Sequence, residues 1–135
     1  MILQVLLRSG GDQMKNVASP NWQYFFSYVA DERRDQQPGV AHADEIAFVM
    51  RTLDSELVAP TEKDREISAL VSDYWVRFAK TGNPNRDGLP FWPEYSEDAP
   101  IVLEIGDEVA IHQDHRPERM AYHKRRGIAN LEKAR

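Results

Sequence analysis

The sequence predicts a mixed α/β chain: one or two core strands, two or three helices packed on them and a terminal β-hairpin. Three observations lead there. The run WQYFFSYVA over 22–30 is aromatic and β-branched, apolar on both faces and too short for a typical helix, which suits a strand covered on both sides. From Thr61 onward, Ile67, Leu70, Val71, Tyr74, Trp75 and Phe78 recur at the spacing of one helix face. PIVLEIGDEVAIHQ alternates apolar and polar residues on either side of Gly106-Asp107, as a hairpin with a two-residue turn does.

The chain opens with MILQVLL, an apolar stretch followed at once by Arg8 and a polar, turn-rich loop over 9–21. The strand 22–30 comes next, and the charged loop DERRDQQPGV then delivers the chain to His42. Asp44 and Glu45 open a short helix through Ile46, Phe48, Val49 and Met50, their negative charge complementing the helix dipole. Thr61 with Asp64 three positions on resembles a capping box for the long helix, though Glu would be the better partner, and Gly82 and Pro84 stop it. Pro93 makes FWPEY an edge or irregular segment, since proline cannot donate to a central ladder. Past the hairpin, Pro117 opens a last basic helix containing Lys124, Arg125 and Arg126.

Composition excludes several functions. At net charge −5 and pI about 5.3, with both signs spread along the chain, there is no basic stripe for nucleic acid. No apolar run approaches the ~20 residues that span a membrane. MILQVLL has no basic flank before it and is not read as a signal peptide; with no cysteine in the chain, the expected compartment is the cytoplasm.

Three blocks stand in order: YFFSYVA, GVAHADEIAFV and YWVRFAKTGNPNRDGLPFWPEY. Together they resemble the C-terminal part of the type B carboxylesterases, the α/β-hydrolase branch that includes bacterial esterases and the cholinesterases. The resemblance covers about 22–125 and leaves 1–21 as an unassigned extension before a single unit, 22–135. It implies a partial α/β-hydrolase fold with no cofactor or metal, in which 22–30 is a late parallel strand. It also implies that His42, in the stretch His42-x-x-Glu45, is the catalytic base that takes the serine proton and returns it to the leaving alcohol. Ala43 stands where the family usually has glycine.

The rest of that machinery is not found. No G-x-S-x-G elbow occurs; LLRSGG supplies Ser9 and Gly11 but has Leu7 where the first glycine must be. An H-G-G-G-type oxyanion loop, whose donors are worth on the order of 100- to 1000-fold in rate, is missing as well. In this fold the triad acid lies upstream, and Asp31, Glu32 and Asp35 are too close to His42 to be it; they read as a solvated loop. The expectation is a carboxylesterase-like chain that is not a competent esterase alone and serves as a binding or assembly module. The alternatives are completion by a nucleophile-bearing partner chain, or an independent hydrolase with a re-invented nucleophile. A groove beside His42 would suit a small ester or other amphipathic ligand. A strand with a bare edge recruits partners, so self-association as a symmetric dimer is expected.

Each other candidate has a plainer reading. Glu45 is a dipole-complementing first-turn residue. Ser19, Ser27, Ser55, Ser68, Ser72 and Ser96 all carry hydroxyls, but Ser27 falls inside a strand and Ser72 on the polar side of a helix, neither of which makes an exposed elbow. His112, Asp114, His115 and His123 lack the i, i+4 spacing of a helical zinc site and read as a surface cluster. Tyr74, Trp75 and Phe78 read as core.

Overall fold

The computed structural model describes residues 20–96 and 98–114, together with Glu118, Tyr122 and Arg125, which are helical. The apolar opening, nearly all of the predicted 9–21 loop, and Pro117, Lys124 and Arg126 of the predicted last helix lie outside the described residues.

Strand β1 (Tyr24–Phe26) pairs in parallel with β2 (Ile101–Ile105), Tyr24 opposite Leu103, and β2 pairs antiparallel with β3 (Val109–Gln113), in the order β1-β2-β3. The parallel strand predicted at 22–30 is therefore present but shorter. It ends because Ser27 N and Tyr28 N both donate to the single carbonyl of Ile105, at 2.9 and 3.2 Å, which breaks the alternation of the ladder. The predicted hairpin forms, with a three-residue loop, Gly106 to Glu108, in place of the two-residue turn. A Cβ on residue 106 would lie 2.6 Å from Ser27 Oγ, so any other residue there would displace that hydroxyl. That hydroxyl donates to Glu104 at 2.6 Å, and His112 Nε2 bonds the other oxygen of Glu104, so one carboxylate laces three strands together.

Three helices lie between β1 and β2: α1 (Glu45–Val49), α2 (Leu53–Glu56) and α3 (Glu62–Thr81). The capping box at Thr61 and Asp64 is complete, and Gly82 closes α3 at φ 72 with its N–H on the Phe78 carbonyl. Tyr24, Phe26 and Tyr28 present one face of β1 to Phe48, Leu53, Ile67, Val71, Tyr74 and Trp92, with Leu103 and Ile105 completing the core. The rings meet mostly edge-on, Tyr74 and Trp92 at 5.3 Å and Tyr28 and Phe48 at 5.5 Å. FWPEY is irregular, as Pro93 requires. It is held by Asn85, whose amide donates to the Trp92 carbonyl and accepts the Trp92 N–H, imitating a strand neighbour.

Two readings of α3 are corrected. Trp75 and Phe78 are 45% and 49% exposed and are not core; their rings meet those of Tyr24 and Trp22 edge-on, at 6.4 and 5.9 Å respectively. Ser72 is buried rather than on a polar face. Asp64, Ser68 and Ser72 form an i, i+4, i+8 stripe on the covered side of α3, and small hydroxyls let α1 approach closely enough for Ser68 to donate to the Phe48 carbonyl at 2.8 Å.

Candidate active site

Beyond β1 the chain turns through Asp31–Arg33, a single 3-10 turn, into the loop that ends at His42. The entry to that loop is fixed by Asp64, fully buried at the start of α3. Its carboxylate accepts from the Tyr28 hydroxyl (2.8 Å), the N–H groups of Thr61 (2.8 Å) and Asp31 (3.3 Å), and the Thr61 hydroxyl (3.0 Å). The same Thr61 hydroxyl also faces Asp31 Oδ2 at 2.8 Å, so its one hydrogen is shared. Burial by itself would raise the Asp64 carboxyl. The donors from Thr61, Tyr28 and Asp31 outweigh it and hold the group below the usual carboxylate range. Burial first, and the Asp64 contact second, push the Tyr28 phenol up. Arg34 lies over the Tyr28 ring at 5.2 Å and pairs with Asp31 and Asp107, joining the loop to the hairpin.

His42 is exposed, on the turn that leads into α1. It stands at a cleft of about 330 Å³ with Arg33 and Asp44 beside it and Phe48, Leu53 and Leu57 as its apolar wall. Among the described residues its imidazole has no hydrogen-bond partner, and no serine lines the cleft. Ser27 is held by Glu104 and Ser68 by Phe48; Ser72 is buried, Ser55 lies on α2, and Ser96 receives the Ala99 N–H. Ser19 lies outside the described residues. Neither Asp31, Glu32 nor Asp35 reaches His42: Asp31 pairs with Arg34, and Glu32 caps Val58 and Ala59. His112 belongs to the sheet, and His115 and His123 lie outside the described residues; among those described, no three potential metal ligands gather.

The turn itself carries strain. Ala43 sits at φ 72, in the left-handed region that favours glycine. Ala43→Gly is expected to stabilise the chain by about 0.5–1 kcal/mol, the relief of that conformation less the entropy glycine adds to the unfolded chain, as read by urea denaturation.

Glu45 is the acidic first-turn residue that was expected, and it is also covered. It opens α1, but with Phe48 and Val49 it lies on the covered face, 5% exposed, and its Oε2 has no hydrogen-bond partner among the described residues. Its charge is the second cause, after burial, that raises the Tyr24 phenol to about 12. The sequence signal was the i, i+3, i+4 pattern of Glu45, Phe48 and Val49, which puts a carboxylate in line with two core residues.

The chain is similar in structure to parts of solved esterases. The chain superposes on a PNB esterase with TM-score 0.63 at 28% identity, covering 77% of this chain and 21% of that one. It superposes on a polyester-hydrolysing esterase of Clostridium hathewayi with TM-score 0.74 at 16% identity, covering 88% and 24%. The class is thus the α/β-hydrolase fold, of which this chain forms a part. The model of the carboxylesterase family matches residues 5–123, and the chain belongs to that family. Carboxylesterase 1C of Mus musculus is 35% identical over 119 residues, 87% of this chain, and carboxylesterase 4A of Bos taurus is 33% identical over 113 residues, 82% of it. The chain spans about a fifth of the length of these relatives, 21% and 20% respectively. No helix among the described residues is long and apolar enough to cross a membrane.

Proposed function

We propose that this chain supplies the base of a serine carboxylesterase. His42 takes the proton of a serine hydroxyl as that oxygen attacks the ester carbonyl, then gives it to the departing alcohol. The serine, the acid that orients the imidazole and the oxyanion donors come from a separate G-x-S-x-G-bearing segment. One observation carries the reading: an imidazole presented, free of intramolecular hydrogen bonds among the described residues, at a cleft lined by no serine. The apolar wall of that cleft suits the acyl or alcohol part of a small ester, its volume being at the low end for ligand pockets. Without nucleophile and oxyanion donors the imidazole is little better than imidazole in solution, so the chain alone should turn over p-nitrophenyl butyrate no faster than its His42→Ala variant. Turnover by the isolated chain that vanishes in that variant would favour a nucleophile within these 135 residues.

In isolation the chain pairs with itself. Residues 21–30 carry no charge or proline, the features that keep a strand from recruiting a second copy. A symmetric dimer at twice the 15.6 kDa chain mass is the expected result of light scattering; a monomer at all concentrations would contradict it.

A further inference from the structure

We propose that Asp44 is the positioning residue for His42, an inference that rests on the reading of His42 as the base. Because the imidazole has no hydrogen bond of its own among the described residues, only the backbone of residues 41–44 determines where it stands. That backbone includes the left-handed Ala43 and would relax if nothing held it. Asp44 holds it. Its Oδ2 accepts the Ala41 N–H at 2.8 Å, closing the turn across His42, and the Gln37 side-chain amide at 2.9 Å; Gln37 in turn reaches the Gly39 carbonyl at 3.2 Å. The other oxygen faces Arg33 at 3.7 Å, and Arg33 donates to the Glu56 carbonyl at the end of α2 at 2.8 Å. One carboxylate therefore ties the residue before the histidine, the preceding loop and α2 into a single unit.

The competing assignment is a helix cap, since Asp44 directly precedes α1. The geometry rejects it: Asp44 has helical backbone angles, φ −57 and ψ −30, and its side chain accepts no N–H from the first turn of the helix. The carboxylate points back toward Ala41. The bonds it accepts there are charge-assisted, hence stronger than neutral ones. The carboxylate is only 19% exposed; its bond from Gln37 is partly buried, while the one from Ala41 lies at the surface.

The test compares Asp44→Ala, which removes the acceptor, with Asp44→Asn, which keeps a carbonyl for the Ala41 N–H. Both are made in the full chain, with two readouts. Amide exchange followed by NMR should show Ala41 losing about tenfold or more protection in Asp44→Ala and regaining it in Asp44→Asn, while the β2–β3 amides stay protected. Joined by a G-x-S-x-G-bearing esterase segment, Asp44→Ala should lose about 10- to 100-fold in kcat with KM within about twofold, the signature of a misplaced catalytic group, and Asp44→Asn should recover to within a few-fold. Unchanged Ala41 protection in Asp44→Ala, or an Asn variant as impaired as the Ala variant, would overturn the proposal. If the parent pair shows no turnover, the reading of His42 fails, and the exchange comparison alone decides whether Asp44 holds the turn.

Discussion

Replacing His42 by alanine is expected to lower kcat for p-nitrophenyl butyrate by on the order of 10,000- to a million-fold when the chain works with a serine-bearing segment, the range for losing the base of a triad. The exposed side chain makes no hydrogen bond among the described residues, so its loss should leave the melting temperature within about a degree. That separation makes the variant informative. A large fall in kcat without a fall in stability reports chemistry, whereas the same fall with unfolding would report a structural histidine. A loss of less than about tenfold would show that another group carries the proton.

The second large effect falls on stability. Asp64→Ala removes a fully buried carboxylate that accepts from Tyr28, Thr61 and Asp31 and completes the cap of α3. The cap contributes about 1 kcal/mol, and each donor left buried without a partner costs about 1–3 kcal/mol, water relieving the more exposed ones, so a loss of about 3–4 kcal/mol is expected. For a chain of this size that is roughly 10 °C in melting temperature. The same carboxylate sets an acid limit. Its folded-state pKa lies below the unfolded value of about 3.9, so its contribution is present above that pH and is lost as pH falls toward the folded pKa. Urea midpoints should thus drop below about pH 4 in the parent, and less steeply in Asp64→Asn, which has no carboxylate to protonate there. An identical acid limb in both would place the acid-sensitive group elsewhere.

Much of this was legible in the residues. Thr61 with Asp64, the apolar spacing of α3 and Gly82 fixed the long helix at both ends, and the alternation around Gly106 gave the hairpin. The position of His42 at the mouth of a short helix followed from the charged loop before it and the acidic start after it. What could not be read was tertiary. Residues 22–30 look like a strand, but nothing local says that the partner of Tyr24 lies 79 positions away at Leu103. Binary pattern also misled on α3. Ser72 is polar yet covered, on the side of α3 where Ser68 meets α1, whereas Trp75 and Phe78 are apolar yet half-exposed. Glu45 is a first-turn acid, as its place in the sequence says, and its burial beside Phe48 and Val49 shows only in the packing.

At the site, the histidine was identifiable and its support was not. Asp44 reads as a helix-start acid from sequence, and only the direction of its side chain, back to Ala41 and across to Arg33, distinguishes a clamp on the turn from a cap. Ala43 likewise shows its cost only through its φ of 72.

The central claim, that this chain gives the base and a separate segment gives the nucleophile, is tested most directly by labelling. The chain is combined with a G-x-S-x-G-bearing esterase segment, treated with a fluorophosphonate, and the modified serine located by peptide mass spectrometry, in parallel with His42→Ala. The account predicts rapid modification of the elbow serine alone, slowed by orders of magnitude when His42 is absent. Modification of a serine of this chain, or elbow labelling at the same rate without His42, would contradict it.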